Sequence, residues 1–299
     1  MAVIVLLGAG ASFGSKNALP HTPPLGNKLF DDLVARGGIA ARLPEHIQNI
    51  FKSNFEEGML EYYKMSDGNI MTFQRELAHY LAEFSPLPDN VYIKLITTLN
   101  RSRVIYSSLN YDLLFEISAG RCNLNTYYTS QNHANGVRLL KIHGSSNFWP
   151  DIPTGTFVGC TFMGSGRADI QAPIRPLNQQ QTIYKCLQED SVAPAIAMFA
   201  PGKQVKISPD YVENQYGMWL DAVKKASKIF IVGVRVHEVD THIWGELGKI
   251  QGSVHYFGFE NDKREFAQWK QNSVKNNAFF HESDFENAVG IISKIYKKT

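Results

Sequence analysis

The sequence predicts an α/β protein built on a doubly wound parallel sheet, and three observations carry that prediction. Residues 2–8 (AVIVLLG) and 228–234 (KIFIVGV) are continuous apolar runs of strand length, as expected for central strands covered on both faces. The second run leads into a helix at about 240–250 and a further strand at 253–259 (SVHYFGF), which makes a βαβ unit. The chain has 299 residues, 44% of them hydrophobic and 19% charged, enough to bury a full core without an external staple.

Taken in order, the first strand ends in a Gly-rich turn, and Pro20, Pro23 and Pro24 mark the loop beyond it. A helix opens after Pro24 and stops at Gly37 and Gly38. Residues 43–100 read as amphipathic helices, with Phe73, Leu77, Tyr80, Leu81 and Phe84 at helical spacings and no strand signal between them. A helical insertion at about 40–101 follows from this. Residues 103–109 (RVIYSSL) return to β-type composition, and 139–144 (LLKIHG) form a short strand ending in His-Gly. Residues 150–215, rich in Gly and Pro, take no assignment. The alternation predicts a Rossmann-like sheet within a single domain spanning 1–299, with ligands bound at the C-terminal ends of the strands.

Composition excludes several classes. Thirty Lys+Arg against 28 Asp+Glu give a net charge of +2, so no direct nucleic-acid binding is expected. The basic tail residues Lys294, Lys297 and Lys298 are expected on a solvated helix face. Cys122, Cys160 and Cys186 form no C-x-x-C pair and fit a reducing cytoplasm. The apolar opening lacks a basic n-region and reads as a strand rather than a signal peptide, and no run reaches the roughly 18 residues of a membrane span. A soluble, cytoplasmic protein without membrane association is expected. No His/Cys/Asp cluster has metal-ligand spacing, so no metal is expected.

Four motifs fall at strand ends. In GAGAS at 8–12, Gly8, Ala9, Gly10 and Ser12 form a turn whose amides can approach a pyrophosphate closely, or a tight turn that uses glycine for its backbone freedom alone. The dinucleotide pattern G-x-G-x-x-G fails because Phe13 stands at its third glycine. The nucleoside-triphosphate pattern G-x-x-x-x-G-K-[ST] fails because Gly10 and Gly14 are one residue too close. In SLNYD at 108–112, the Asn110 carboxamide offers a donor and an acceptor to a ribose hydroxyl or water, or closes the strand as an Asx turn. In KIHGS at 141–145, His143 is a base that titrates near neutral pH, or a structural histidine like His21, His133, His237 and His242. In IVGVRVHEVD at 231–240, Gly233 and Val234 close a strand along which an adenosine half can lie, and Asp240 begins a helix, where capping is its ordinary role. Glu260 or Asn261 at the next strand end is in place to reach a ribose. These groups point to attack at an anomeric carbon; hydride transfer stays open at this point.

In order and spacing, GAGAS, SLNYD, KIHGS and IVGVRVHEVD resemble the motifs of the sirtuin superfamily, specifically the sirtuin-like NAD-hydrolase effectors of bacterial antiphage defence. Residues 192–203 (VAPAIAMFAPGK) resemble the family's segment between the histidine and the last strands. The resemblance implies NAD as substrate, phosphates on the Gly-rich turn, Asn110 at the nicotinamide ribose and His143 as catalytic base; in such a site Asp112 is expected to brace the Asn110 turn or meet the ribose. It also implies gating through a hetero-oligomer with a protein encoded nearby. The two C-x-x-C pairs of the family's zinc ribbon are absent, which counts against deacetylation; Ser108-Leu109 and Val234-Arg235 depart from the usual pattern. An NAD-dependent deacylase or ADP-ribosyltransferase, and a non-catalytic NAD or ADP-ribose sensor, remain the alternative readings.

Overall fold

A computed structural model describes residues 2–99, 103–131, 133–157, 160, 169–197, 205–237 and 240–297. Outside them lie residues 100–101 at the end of the expected insertion, 198–203 of the VAPAIAMFAPGK segment, 238–239 of the last motif, and Lys298 of the tail. In chain order the elements are β1 (Ala2–Leu7), α1 (Ala9–Phe13), β2 (Ala18–Leu19), α2 (Gly26–Ala35), α3 (Ile39–Arg42), α4 (Glu45–Ser53), α5 (Phe55–Met65), α6 (Met71–Ala82), β3 (Ser85–Pro86), α7 (Val91–Thr98) and β4 (Val104–Ser108). Then follow α8 (Leu114–Arg121), β5 (Asn125–Tyr127), β6 (Gly136–Lys141), β7 (Phe148–Pro150), β8 (Ile174–Pro176), α9 (Gln179–Gln188) and α10 (Pro209–Lys225). The chain closes with β9 (Ala226–Val232), α11 (Thr241–Lys249), β10 (Ser253–Gly258), α12 (Glu260–Asn272), β11 (Ala278–Glu282) and α13 (Phe285–Lys297).

The main sheet has seven strands in the order β11-β10-β9-β1-β4-β6-β5. Every pairing within it is parallel among the described residues. The protein is therefore α/β with a Rossmann-like, doubly wound sheet. β1 sits at its centre because each of its faces is apolar. Side chains alternate across a strand, so Val3, Val5 and Leu7 enter one core and Ile4 and Leu6 the other. β9 divides the same way, with Phe230 and Val232 on one side and Ile229 and Ile231 on the other. The first core is closed by residues of α2 to α8 and α13, and the second by Trp219 of α10, Trp244 of α11 and Phe266 of α12. β1 continues to β4 on one side while β9 continues to β10 on the other, so the switch point lies between β1 and β9.

Several expectations shift. Between residues 43 and 99 the regular elements are helices except for β3, which pairs antiparallel with β2 from the Pro-rich loop. The strand expected at 139–144 begins at Gly136 and stops at Lys141, which leaves His143 in the following loop. β5 and β11 went unforeseen: β5 is a three-residue edge strand, and β11 carries polar and exposed positions along with its phenylalanines. Part of the unassigned 150–215 stretch supplies β8, α9 and the start of the 17-residue α10.

Candidate active site

Four adjacent strands end in one row. Leu7 of β1 pairs with Ser108 of β4 and with Val232 of β9, and Ser108 pairs with Lys141 of β6. Gly8 and Gly233 stand one residue past that row, and Asn110 and His143 stand two past it. At the usual strand spacing of about 4.8 Å, the edge they form is roughly 14 Å long.

The glycines of the first turn face the last motif. The Gly8 amide donates to the Val232 carbonyl (3.0 Å), the Gly10 amide to the Gly233 carbonyl (3.0 Å), and the Ala11 amide back to Gly8 (2.9 Å). A Cβ on Gly8 would stand 2.3 Å from the Gly233 oxygen, and one on Gly233, whose φ is +67°, would stand 2.0 Å from the Ala11 nitrogen. The backbones of the two turns therefore touch, and only glycine permits it. Val234 is buried in the second core beneath this contact. Toward solvent the turn presents Ala9 and the half-exposed Phe13, the residue in place of the third glycine.

Ser12 is a buried hub. Its hydroxyl donates to Asp112 Oδ2 (2.7 Å), and a carboxylate only accepts. The Tyr92 hydroxyl at 2.9 Å is therefore the donor in that contact, and Asn110 Nδ2 donates from 2.8 Å. Burial and the Asp112 charge hold the Tyr92 phenol well above its usual range, so it keeps its proton. With one proton given and two accepted, the Ser12 hydroxyl is saturated, and its part at the site is to hold the turn. Tyr92, on α7 within an apolar helical pattern, carried no signal that set it apart; only the general need of a buried phenol for a partner hinted at it.

Asn110, 8% exposed, gives its second Nδ2 hydrogen to the Gly8 carbonyl (2.8 Å). A carbonyl cannot donate, so the amide orientation is fixed and any ligand meets Asn110 through Oδ1, as a donor. Asp112 uses both oxygens internally, accepting from Ser12 and from the Leu114 amide at the start of α8 (3.0 Å). Behind it, buried Lys141 donates to the Asp112 carbonyl (2.7 Å) and lies 3.3 Å from Glu116. Burial pushes the Glu116 carboxyl up against the pull of Lys141.

His143 is buried, and its loop packs on residues 192–197. The Ala197 amide donates to the His143 carbonyl (2.8 Å), and the Ser145 amide to Ala195 (3.0 Å). Gly144 takes φ +80°, where a Cβ would stand 2.0 Å from the Ala195 oxygen. Nε2 of His143 lies 3.0 Å from Nε2 of His242 on α11. His242 is the residue the sequence reading grouped with ordinary histidines, since nothing local links positions 99 apart. Asp240 is the N-cap of α11 but makes no side-chain capping bond; its Oδ1 lies 3.9 Å from His242 Nδ1. Glu260 and Asn261 are exposed on the first turn of α12, where Glu260 pairs with Lys263 (3.2 Å).

The groups along this edge are the His143 imidazole, a fixed carboxamide oxygen and a buried polar brace, a set of the kind that can orient a hydroxyl or water and take up its proton. Among the described residues no group of three His, Cys, Asp or Glu side chains is placed to hold a metal ion. No protein-family model matches the chain, and no curated protein sequence matches it. Among solved structures, the chain is similar to Sir2 in complex with the inhibitor EX-527, 2'-O-acetyl-ADP-ribose and a deacetylated p53 peptide, at 13% identity over 100% of this chain and 95% of that one, with a TM-score of 0.47. It is also similar to a point mutant of a Sir2 homologue in complex with ADP-ribose, at 14% identity over 99% of this chain and 92% of that one, with a TM-score of 0.45.

Proposed function

We propose that the chain is an NAD⁺ glycohydrolase that cleaves the nicotinamide–ribose bond to give nicotinamide and ADP-ribose, with residues 1–299 acting as one catalytic domain. The observation that carries this reading is the alignment of Gly8, Asn110, His143 and Gly233 just past one row of four neighbouring strands. The pyrophosphate lies against the lip of the Gly8–Gly10 turn and the adenosine along Gly233 and Val234. Asn110 Oδ1 accepts from a ribose hydroxyl or the attacking water, and His143 takes the proton as the bond breaks through an oxocarbenium-like transition state. Ser12, Asp112 and Tyr92 hold Asn110 in place and need not touch the substrate.

The motif resemblance supports a gated, NAD-depleting effector in antiphage defence, acting in the cytoplasm with a partner protein encoded nearby. A path for such a gate runs through the helical insertion: Gln74 and Arg75 of α6 donate to the carbonyls of Ile196 and Val192, in the segment that holds the His143 loop.

Purified His143→Ala is expected to lose 10²- to 10⁴-fold in nicotinamide release, the usual worth of a positioned base. Asn110→Ala is expected to lose turnover with its fold retained. Wild-type rates in either folded variant overturn the assignment.

A further inference from the structure

Lys141, the last residue of β6, is 1% exposed, and nothing in the proposed chemistry uses its charge. A lysine is almost never buried unless it is paired. Its partner is Glu116 on α8, whose Oε1 lies 3.3 Å from Nζ. The Tyr128 hydroxyl donates to the same oxygen (3.3 Å), and Asn147 Nδ2 donates to Tyr128 (3.1 Å). A buried pair of this kind adds little net stability, because desolvation of both charges offsets their attraction. What it fixes is direction: beside Glu116, the ammonium donates to the Asp112 carbonyl at 2.7 Å.

That carbonyl belongs to the loop that carries Asn110, and the carbonyl before it is held from the His143 loop as well. Ser146 donates to the Tyr111 carbonyl twice, through Oγ at 2.7 Å and through its amide at 3.1 Å. Lys141 stands two residues before His143 and Ser146 three after it, so the segment around His143 grips two consecutive carbonyls just past Asn110. The backbone of Lys141 is fixed in turn. Its amide donates to Gln215 Oε1 of α10 (3.3 Å), and its carbonyl accepts from the Gly144 amide (3.0 Å).

We propose that Lys141, oriented by Glu116, is a positioning residue whose bond to the Asp112 carbonyl sets where Asn110 stands relative to His143. It acts through the backbone and does not touch the substrate. The proposal rests on the reading of Asn110 and His143 as the site of NAD cleavage. Without the ammonium, the Asp112 carbonyl loses its donor and the loop after β4 is free to relax away from the loop after β6. A misplacement of about 1 Å at a reacting group costs about 100-fold in rate.

The test separates position from stability with two variants of the full chain. Lys141→Met strands the Glu116 charge in the interior and is expected to lower the melting temperature. Adding Glu116→Gln removes that charge, so Lys141→Met/Glu116→Gln regains most of the lost melting temperature while the Asp112 carbonyl still lacks its donor. With NAD, under conditions where the wild type releases nicotinamide, the double variant is expected to show kcat about 100-fold down with KM nearly unchanged. Its Asn110 side-chain amide resonances in ¹⁵N spectra are expected to shift from those of the wild type. Should it not fold, Lys141→Met/Glu116→Leu, an apolar replacement of the pair, takes its place in both measurements. A folded double variant with wild-type kcat, a stable pair being then all that Lys141 supplies, overturns the proposal. If the wild type never releases nicotinamide, the NAD reading fails, and unmoved Asn110 resonances in the double variant overturn the positioning role by themselves.

Discussion

At the scale of the residue, Ser12 carries the most structure per atom. Ser12→Ala strips a donor from Asp112 and an acceptor from both Tyr92 and Asn110, all of them buried. Leaving such groups unsatisfied costs about 1–3 kcal/mol. At about 2–4 °C per kcal/mol for a chain of this order of size, the melting temperature should fall by roughly 5 °C. An unchanged melting temperature contradicts the hub. Asn110 and His143 were legible in the sequence because each follows a β-type run directly, where polar chemistry is conspicuous. Tyr92 and His242 were not, since a tyrosine in an amphipathic helix and a histidine in a first turn look ordinary until the fold brings them across 80 and 99 positions.

At the scale of the element, the contact between the β1 and β9 turns leaves no room for a side chain. Gly233→Ala adds a Cβ against backbone at a left-handed residue, so a loss of at least about 2 kcal/mol is expected. Gly217, inside α10 with open space around it, gives the opposite sign: Gly217→Ala should stabilise by about 0.5–1 kcal/mol. Urea unfolding of both variants checks the pair, and equal effects contradict the account. The β10–β11 edge adds a pH response. His255 and His281 are 3.1 Å apart, and burial lowers both from their ordinary value, His255 to about 4, with the His281 and Lys228 charges also pulling His255 down. The unfolded chain takes up protons near pH 6.5, whereas the folded chain keeps His255 neutral down to about 4 and also holds His281 below its ordinary value. Stability contributed by the pair is complete above about 6.5 and declines as pH falls toward 4. His255→Phe, which keeps the stack on Phe279, should lose less melting temperature than the wild type between pH 7 and 5. The central strands were legible because each is a continuous apolar run feeding two cores. β5 and β11 were not, because short edge strands with exposed polar positions show no such run.

At the scale of the molecule, the sheet order places the switch point between β1 and β9, where the two glycine turns meet, and the site extends from there across β4 to β6. The helices of the insertion share the core of β1, and Tyr92 and Gln74 reach from them to Ser12 and Ile196, so the insertion packs against the sheet as part of its core. The Gly-rich turn, expected from the sequence to cradle a phosphate or to serve as a tight turn, has glycines that let the turns of β1 and β9 close on each other. No helix among the described residues is long and apolar enough to cross a membrane. The most direct test of NAD cleavage is chromatography of NAD incubated with the protein, alone and with the proteins encoded beside it. Nicotinamide and ADP-ribose released one to one, with the rate rising when the partner is present, is the predicted result. NAD bound tightly with no nicotinamide released in any combination would contradict it.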